Sequence, residues 1–584
     1  MRASRHHAAR LHAPAAHRAA GGVPRQAADV PHNVAARPSG KPAAIRHARV
    51  LGGPPRAGAS FGTVVAQVPP GSVPLLPLEQ GDQGISAAER PHALRAMQAL
   101  PSKAGDNWVV TYDQESGLYE IVSKTGTLRW ERWKTPAGEV VFRVHSLDGE
   151  NPITSEDPTA FRTFAEEVAA AGGAGKPIPE SITSYPDIFQ RLSQLFDSKR
   201  APDFVYVPTG GADLNHPGAG SHGVPDITQS RAPLIIAAPG VAQNAFTDTI
   251  VKSVDVAPTV AQLVGVQPIR GTNAAGAKKI QFLKWQDGDS VASSISDGRL
   301  GASPYGTAER ALMFVLDGGS QAVLLDEVAQ GRLPNIARIM KMGTTFRNGS
   351  IVDYPTVTWA NHNTLMTGAS PGHQGLLNNS WYNRDTGKEQ LITDGGFQNS
   401  LMTNKMMNTQ AETLYEAVGR TYGPDAITMS INDPSGRGAT FSTLELAGLG
   451  GVVRRLFSVV KHFIDDGKSI VDHRFEKDKD YWSSSKMDRA GVAIGQAYFS
   501  SANTPRLAVF ELALTDNQGH MKGPHAPDAR AALQEADRNI GAMLKILDER
   551  GLTDSTALVV TADHGMEHQY TDPAKLGGWF DALR

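Results

Sequence analysis

The chain has 584 residues, of which 40% are hydrophobic and 20% are charged; these are ordinary proportions for a water-soluble globular protein, and no apolar run reaches the roughly 20 residues that a membrane span needs. Its net charge of −2, without a clustered basic face in the body of the chain, argues against a nucleic-acid partner and favours a small-molecule substrate. The absence of cysteine excludes disulfides and thiolate metal sites, and it argues against sulfatases whose nucleophile derives from cysteine; any metal ion would be held by carboxylate, imidazole or hydroxyl groups.

The first hundred residues differ in composition from the rest. Residues 1–100 are rich in Ala, Arg, His, Pro and Gly, and their apolar residues are too sparse and aperiodic to form a core. We therefore predict a disordered, low-complexity leader. Its arginine-rich start lacks the continuous apolar segment of a secretory signal, so export cannot be argued from it and the compartment stays open.

The next part of the chain has mainly strand character. Runs of period two at Thr127–Trp133 and Glu139–His145 predict an antiparallel hairpin or small sheet. Helices are predicted at Pro158–Ala171 and from Pro186 onward, because Pro suits a first helical position.

Two short apolar runs follow, and we interpret them as buried strands. They are Phe204–Val207 and Leu234–Ala237, each too short for a helix. A Gly- and Ser-rich passage at about residues 271–307 has weak periodicity, and we interpret it as a linker.

The second half alternates strands and helices. Strands are predicted at Ala311–Leu316, Ala426–Ile431, Leu507–Leu512 and Ala557–Thr561. The clearest helix runs from about Pro527 to Arg550 and carries one apolar stripe. Alternation of this kind predicts an α/β fold with a mostly parallel sheet sandwiched by helices; with the hairpin above, a small antiparallel sheet is added.

Three acidic residues follow predicted strands: Asp317, Asp516 and Asp563. Ligands of open α/β sheets bind beyond the carboxyl ends of the strands, so these side chains could converge there. One such Asp is more often a helix cap or a turn residue. His520 and His564 stand near two of them, however, and carboxylate combined with imidazole suits zinc; two such groups indicate two ions.

Thr358 precedes a predicted short helix, Asn361–Met366. A hydroxyl at a helix N-terminus lies where backbone N–H groups and the dipole favour anions, so it could attack a phosphate. Alternatively, such a Thr simply caps the helix.

Several short motifs follow one another over about residues 311–567: Asp317-Gly318, Pro-Thr-x-Thr-x-x-Asn-His at 355–362, Thr367-Gly368, His373-Gln374-Gly375, Asn379-Ser380-Trp381-Tyr382, Asp516 to His520 with Gly523-Pro524, and Asp563-His564-Gly565-Met566. In type and order, these motifs resemble those of a known family, the type I phosphodiesterases and nucleotide pyrophosphatases of the alkaline phosphatase superfamily. The resemblance implies an alkaline-phosphatase-like fold. Trp359 and Ala360 depart from the family's usual Phe-Pro, which leaves the shape of the pocket open.

The resemblance also implies roles for individual residues. Two divalent ions, preferably zinc, would be bound, the first by Asp317, Thr358, Asp563 and His564 and the second by Asp516 and His520. Thr358 would be the nucleophile, and Asn379 would contact a non-bridging phosphate oxygen.

One ligand of the second ion is missing downstream, because the chain ends 18 residues after Met566. The segment around His222 resembles the family's downstream segment but lies upstream here. We therefore predict a circular permutation, with the family's C-terminal portion at residues 107–267, a linker at 268–308 and the nucleophile and metal-ligand portion of the same domain at 309–584. His216 is the alternative ligand, and either histidine could instead be a structural residue at the surface. The site could also be completed between the two chains of a swapped dimer.

The function predicted from this resemblance is metal-dependent hydrolysis of a small phosphodiester or nucleotide pyrophosphate through a phosphothreonine intermediate. Alternatives are a phosphomonoesterase, a phosphonate or sulfate ester hydrolase of the same superfamily, or an inactive rearranged product. Family resemblance would imply a periplasmic or secreted protein. The natural ester is not predicted.

Overall fold

The computed structural model describes residues 49–50, 70–74, 76–77, 94, 108–136, 140–153, 185–208, 219–273, 276, 278–300, 306–383, 388–392, 403–444 and 479–568. The chain divides into two compact units, Met1–Ala44 and Ile45–Arg584, and all described residues lie in the second. Most of the predicted leader and the predicted helix Pro158–Ala171 lie outside the described residues. None of the described helices is both long enough and apolar enough to cross a membrane.

The described helices are α1 Ile188–Ser193, α2 Ile227–Ser230, α3 Val256–Leu263, α4 Gln321–Ala329, α5 Pro334–Met342, α6 Thr358–Thr367, α7 Pro371–Gln374, α8 Leu414–Tyr422, α9 Lys479–Ser500, α10 Leu514–Lys522 and α11 Pro527–Glu549. The described strands are β1 Arg49–Val50, β2 Val73–Pro74, β3 Trp108–Asp113, β4 Leu118–Val122, β5 Gly126–Lys134, β6 Val140–Gly149, β7 Val205–Val207, β8 Gly220–Ser221, β9 Arg231–Ala232, β10 Leu234–Ala237, β11 Ala245–Thr247, β12 Val251–Lys252, β13 Ile269–Thr272, β14 Lys278–Gln281, β15 Arg310–Leu316, β16 Thr344–Phe346, β17 Ser350–Ile351, β18 Ser380–Asn383, β19 Lys388–Leu391, β20 Thr428–Ile431, β21 Phe441–Ser442, β22 Leu507–Leu512, β23 Thr556–Thr561 and β24 Glu567–His568.

A central sheet of eight strands organises the fold, in the order β11-β16-β10-β23-β15-β22-β20-β21. Its strands pair in parallel except on the two sides of β10, which runs antiparallel to β16 and to β23. All four strands predicted in the second half of the chain are present in this sheet and lie side by side. The mostly parallel sheet is therefore confirmed.

Helices cover both faces of this sheet. In β15, Met313 and Phe314 point to opposite faces, and both are fully buried. The Met313 side packs with α3 and α8, and the Phe314 side packs with α4, α5, α9 and α11. A strand that is buried on both faces reads as a continuous apolar run, which is the pattern that predicted these strands. The α/β class is confirmed.

A separate seven-stranded sheet contains the predicted hairpin. Strands β5 and β6 pair antiparallel over Gly126–Lys134 and Val140–Gly149, as expected. Aromatic residues form its core: Trp108, Tyr112, Tyr119, Trp130, Phe142, Phe189 and Phe196. The helix predicted from Pro186 begins at Ile188 and packs on this core.

The passage interpreted as a linker is folded over much of its length. Strands β13 and β14 form a hairpin, and Leu283, Val291 and Ile295 are buried in the core beside α3. The apolar residues that enter this core are isolated and follow neither a helical nor an alternating period. The sequence of this passage therefore gave no clear prediction of a helix or a strand. The division into permuted portions stays a prediction.

Strand β10 carries the front part of the chain into the central sheet. Leu234 pairs with Thr561 and Ala237 with Leu558 in antiparallel register beside β23. The start of β10 therefore lies at the edge of the sheet where β23 ends. A second short pairing, between β8 and β24, is antiparallel and places Ser221 opposite Glu567, shortly after the end of β23.

Candidate active site

The three acidic residues predicted to converge do come together. Asp317 directly follows β15, Asp563 follows β23, and Asp516 lies in the first turn of α10 just after β22. These strands are neighbours in the order β23-β15-β22 and run parallel, so their carboxyl ends share one edge. Asp317 and Asp516 belong to one group of potential metal ligands together with His564.

A second group of potential ligands joins both halves of the chain: His222, Asp516 and His520. The Nε2 atoms of His222 and His520 are 3.0 Å apart, and each lies within about 3.6 Å of Asp516 Oδ1. Asp516 and His520 are four residues apart on α10, so both side chains lie on one helical face. His222 follows β8, whose pairing with β24 brings it to this face. The alternative ligand His216 lies outside the described residues.

Backbone carbonyls fix the protons of the three histidines. Nδ1 of His222 is 2.8 Å from the carbonyl oxygen of Thr356, Nδ1 of His520 is 2.9 Å from that of Gly220, and Nδ1 of His564 is 2.9 Å from that of Gly565. A carbonyl oxygen only accepts, so each Nδ1 carries the donated proton. In the neutral imidazoles, Nε2 is therefore a lone-pair donor directed into the site, which is the usual arrangement of metal-binding histidine.

The remaining predicted ligands surround His564. Its Nε2 atom lies 3.2 Å from Asp563 Oδ2, 3.5 Å from Asp317 Oδ1 and 3.3 Å from the hydroxyl of Thr358. Its ring stacks on that of His222 at 3.7 Å between centroids. The two groups of ligands are thus adjacent, with Asp516 common to both.

The charges in this cluster fit a cation. Oδ1 of Asp317, Oδ1 of Asp516 and Oδ2 of Asp563 are buried and have no hydrogen-bond partner within the part of the chain that the structure describes. Burial, and then the charges of Asp563 and Asp516, raise the pKa of Asp317 well above its usual range. His222 and His520 also present two Nε2 lone pairs to each other at 3.0 Å. Divalent ions held by these residues would satisfy both the carboxylates and the lone pairs.

Thr358 is the first residue of α6 and is partly exposed, and its hydroxyl lies beside the cluster. The observed helix begins three residues earlier than the predicted one, and Val357 rather than Thr358 occupies the cap position. Asn379 lies against the same helix end, where its Oδ1 accepts a hydrogen bond of 3.1 Å from the amide of Trp359. Its amide group is therefore held at the start of α6, next to Thr358.

Two buried groups next to the cluster were not predicted as site residues, His362 and Glu511. They form a third group of potential ligands with Asp317. Burial lowers the pKa of His362, but the hydrogen bond to Asp433 and the charges of Glu511 and Asp563 outweigh it and raise the pKa to about 9. Burial raises the pKa of Glu511 to about 7. Glu511 is an acidic residue within the otherwise apolar run of β22, and this feature of the sequence could have marked it as a candidate site residue.

Comparisons with known proteins support the resemblance found in the motifs. Residues 311–582 match the family model described as type I phosphodiesterase / nucleotide pyrophosphatase. Over 260 residues, the chain is 24% identical to a venom phosphodiesterase of Macrovipera lebetinus and to ectonucleotide pyrophosphatase/phosphodiesterase family member 1 of Rattus norvegicus. These alignments cover 44% of this chain but 25% and 24% of those proteins, so the chain spans about a quarter of their length.

Two solved structures match this chain at low sequence identity and low TM-score. Human ectonucleotide pyrophosphatase / phosphodiesterase 5 matches with 18% identity and a TM-score of 0.31, over 44% of this chain and 57% of that one. Phosphonoacetate hydrolase from Sinorhizobium meliloti 1021 matches with 21% identity and a TM-score of 0.29, over 45% and 57%. The family match includes every predicted site residue except His222.

Proposed function

We propose that this chain is a metal-dependent hydrolase of small phosphodiesters or nucleotide pyrophosphates, with Thr358 as the nucleophile. One observation carries the proposal: the hydroxyl of Thr358, at the N-terminus of α6, lies 3.3 Å from Nε2 of His564, which belongs to a cluster of three carboxylates and three imidazoles. The family match over residues 311–582 supports the same chemistry.

We assign the metal ligands as two sets. The first is Asp317, Thr358, Asp563 and His564, and the second is Asp516, His520 and His222. Because all the ligands are nitrogen or oxygen donors and the imidazoles are prominent, zinc is the ion that we expect. When bound, two such ions would polarise the phosphate oxygens and lower the pKa of the Thr358 hydroxyl.

The chain's own groups position and stabilise the reacting phosphate. Thr358 Oγ1 loses its proton and forms the bond to phosphorus while the bond to the leaving alcohol or phosphate breaks, and the leaving oxygen takes up a proton or departs as an anion. Water then cleaves the bond between phosphorus and Thr358 Oγ1, which restores the hydroxyl and releases the phosphate monoester. The N-terminus of α6 favours the negative charge at this position. Asn379 accepts from the Trp359 amide through Oδ1, so its Nδ2 is available to donate to a non-bridging phosphate oxygen.

We further propose that residues 107–267 are the family's C-terminal portion in permuted order. The support is that His222 reaches the other ligands within one chain through the pairing of β8 with β24, while β10 enters the sheet beside β23. Single-chain completion makes the swapped dimer unnecessary for assembling the site.

The substrate class is tested with four aryl or nucleotide esters on one enzyme preparation. We expect zinc-dependent turnover of a bis-aryl phosphate and a dinucleotide pyrophosphate at least about ten times faster than that of a mono-aryl phosphate or an aryl sulfate. The same solution treated with a chelator is the control. Faster turnover of the monoester or the sulfate would contradict the proposed diester specificity while leaving the two-metal chemistry in place.

A further inference from the structure

Helix α10 carries two of the proposed metal ligands but lacks a cap of its own. Ala513 occupies its cap position and offers no side-chain acceptor. The first amide groups of a helix need acceptors from outside the helix, because no intrahelical carbonyl reaches them. The acceptor here comes from a different helix.

That acceptor is Asp488 of α9. Its Oδ1 accepts from the amide of Ala513 at 3.0 Å, and its Oδ2 accepts from the amide of Leu514 at 3.2 Å. The side chain is buried, with 1% of its surface exposed, so solvent does not compete for these bonds. Both carboxylate oxygens are used, which fixes the start of α10 against α9.

This contact affects Asp516 directly. Asp516 is the third residue of α10, the position from which an acidic side chain commonly turns back to accept from the amide of the cap residue. Here Asp488 already occupies that amide, and Asp516 Oδ1 has no hydrogen-bond partner among the described residues. The Asp516 carboxylate consequently lies beside His222 and His520 rather than turning back to the first amides of α10.

We propose that Asp488 is a positioning residue for the His222–Asp516–His520 site: by capping α10 from outside, it leaves Asp516 available to bind an ion. The inference rests on the two-metal site proposed above. If Asp488 only stabilised the fold, its loss would not single out one ion, whereas the positioning role predicts that the binding of one of the two ions is weakened selectively.

The chain offers a matched control in Asp537 of α11. This carboxylate is also 1% exposed and caps another helix, α5, through the amides of Asn335 and Ile336 at 3.0 and 2.7 Å. Helix α5 carries none of the proposed ligands. Loss of the Asp537 cap should therefore cost stability without a selective effect on metal binding.

The test compares Asp488→Asn and Asp488→Ser with Asp537→Asn in the full chain, by zinc competition with a chromogenic chelator and by activity as a function of free zinc. Asn replaces one carboxylate oxygen by an NH2 group, and Ser replaces both oxygens by a single hydroxyl on a shorter side chain, so each variant weakens the cap on the amides of Ala513 and Leu514 and competes less with Asp516 for the Ala513 amide. We expect the Asp488 variants to bind one of two ions about 10- to 100-fold more weakly and to regain activity at high zinc. Asp537→Asn should bind both ions as the wild type does.

Several results would overturn the proposal. One is that folded Asp488 variants bind both ions with wild-type affinity. Another is that the Asp488 variants and Asp537→Asn show the same loss of zinc affinity at both sites. Failure of both Asp488 variants to fold, with a folded Asp537→Asn, would assign Asp488 to general stability and reject the selective role. A wild-type chain that binds no zinc would instead refute the two-metal site itself.

Discussion

His222 Nε2 lies 3.0 Å from His520 Nε2 although 298 residues separate the two histidines in the chain. Both rings donate from Nδ1 to backbone carbonyls, so their Nε2 atoms face each other and Asp516. Two lone pairs in this position repel unless a cation or a proton lies between them. In the proposed two-metal site, His222 would join ligands that all follow residue 311.

Thr358→Ala should abolish turnover, because no other hydroxyl would occupy the start of α6 beside His564. Metal analysis should still find ions in the purified variant, since the remaining ligands are unchanged. Thr358→Ser, which keeps a hydroxyl, is the matched control and should retain measurable activity. Full activity in the alanine variant would remove Thr358 from the mechanism.

Asn379→Ala should lower kcat by about 100- to 1,000-fold, which is the usual effect of losing one donor to a transition-state oxygen. Metal content should not change, because Asn379 contacts the Trp359 amide rather than a proposed ligand. Steady-state kinetics on a bis-aryl phosphate measures the effect. Asn503→Ala, at an exposed asparagine in the loop that precedes β22, is the control and should leave kcat nearly unchanged.

His373 should make stability depend on pH. Burial lowers the pKa of this side chain, but Asp287 and Asp197 lie 2.5 and 2.7 Å from its two nitrogens and raise the pKa to about 10 from the ordinary 6.5. A pKa raised by folding contributes stability fully below the unfolded value, and this contribution is lost as pH rises through the folded value. The contribution of His373 should therefore decline between about pH 6.5 and 10.

His373→Gln tests this window. Removal of one partner from a buried ion pair typically costs about 3 to 5 kcal/mol, and the difference in the free energy of unfolding from wild type should shrink as pH rises toward 10. Urea titrations at several pH values measure it. His145→Gln, at a histidine whose side chain is 53% exposed, is the control. A difference that stays constant across this range would refute the assigned charge on His373.

Mixing two inactive variants tests whether the site is completed within one chain. Thr358→Ala and His222→Ala damage opposite parts of the chain, so a swapped dimer could form one intact site from the two. After the variants are unfolded together and refolded, we expect no more activity than the two variants show when refolded separately, because one chain supplies all the ligands. Recovery of a substantial fraction of wild-type turnover would show that the site is shared between chains.

Much of the central fold was predictable because its strands are continuous apolar runs and α11 has one apolar stripe. The site was predictable where a residue type and a strand end coincide, as at Asp317 and Asp563. His362 ends the Pro-Thr-x-Thr-x-x-Asn-His motif but was not predicted as a site residue, and the proposed role of Asp488 had no sequence signal, because a buried polar side chain in a helix has no local pattern that shows which partner it meets. The packed passage after Ile269 was missed for a related reason, since scattered apolar residues acquire meaning only through long-range contacts.

The central claim is that a ligand from the front of the chain completes a two-metal site, and zinc stoichiometry after dialysis tests it most directly. Wild type and the His145→Ala control should hold about two ions per chain, whereas His222→Ala should hold about one and lose most of its phosphodiesterase activity. Two tightly held ions and undiminished turnover in His222→Ala would contradict the account.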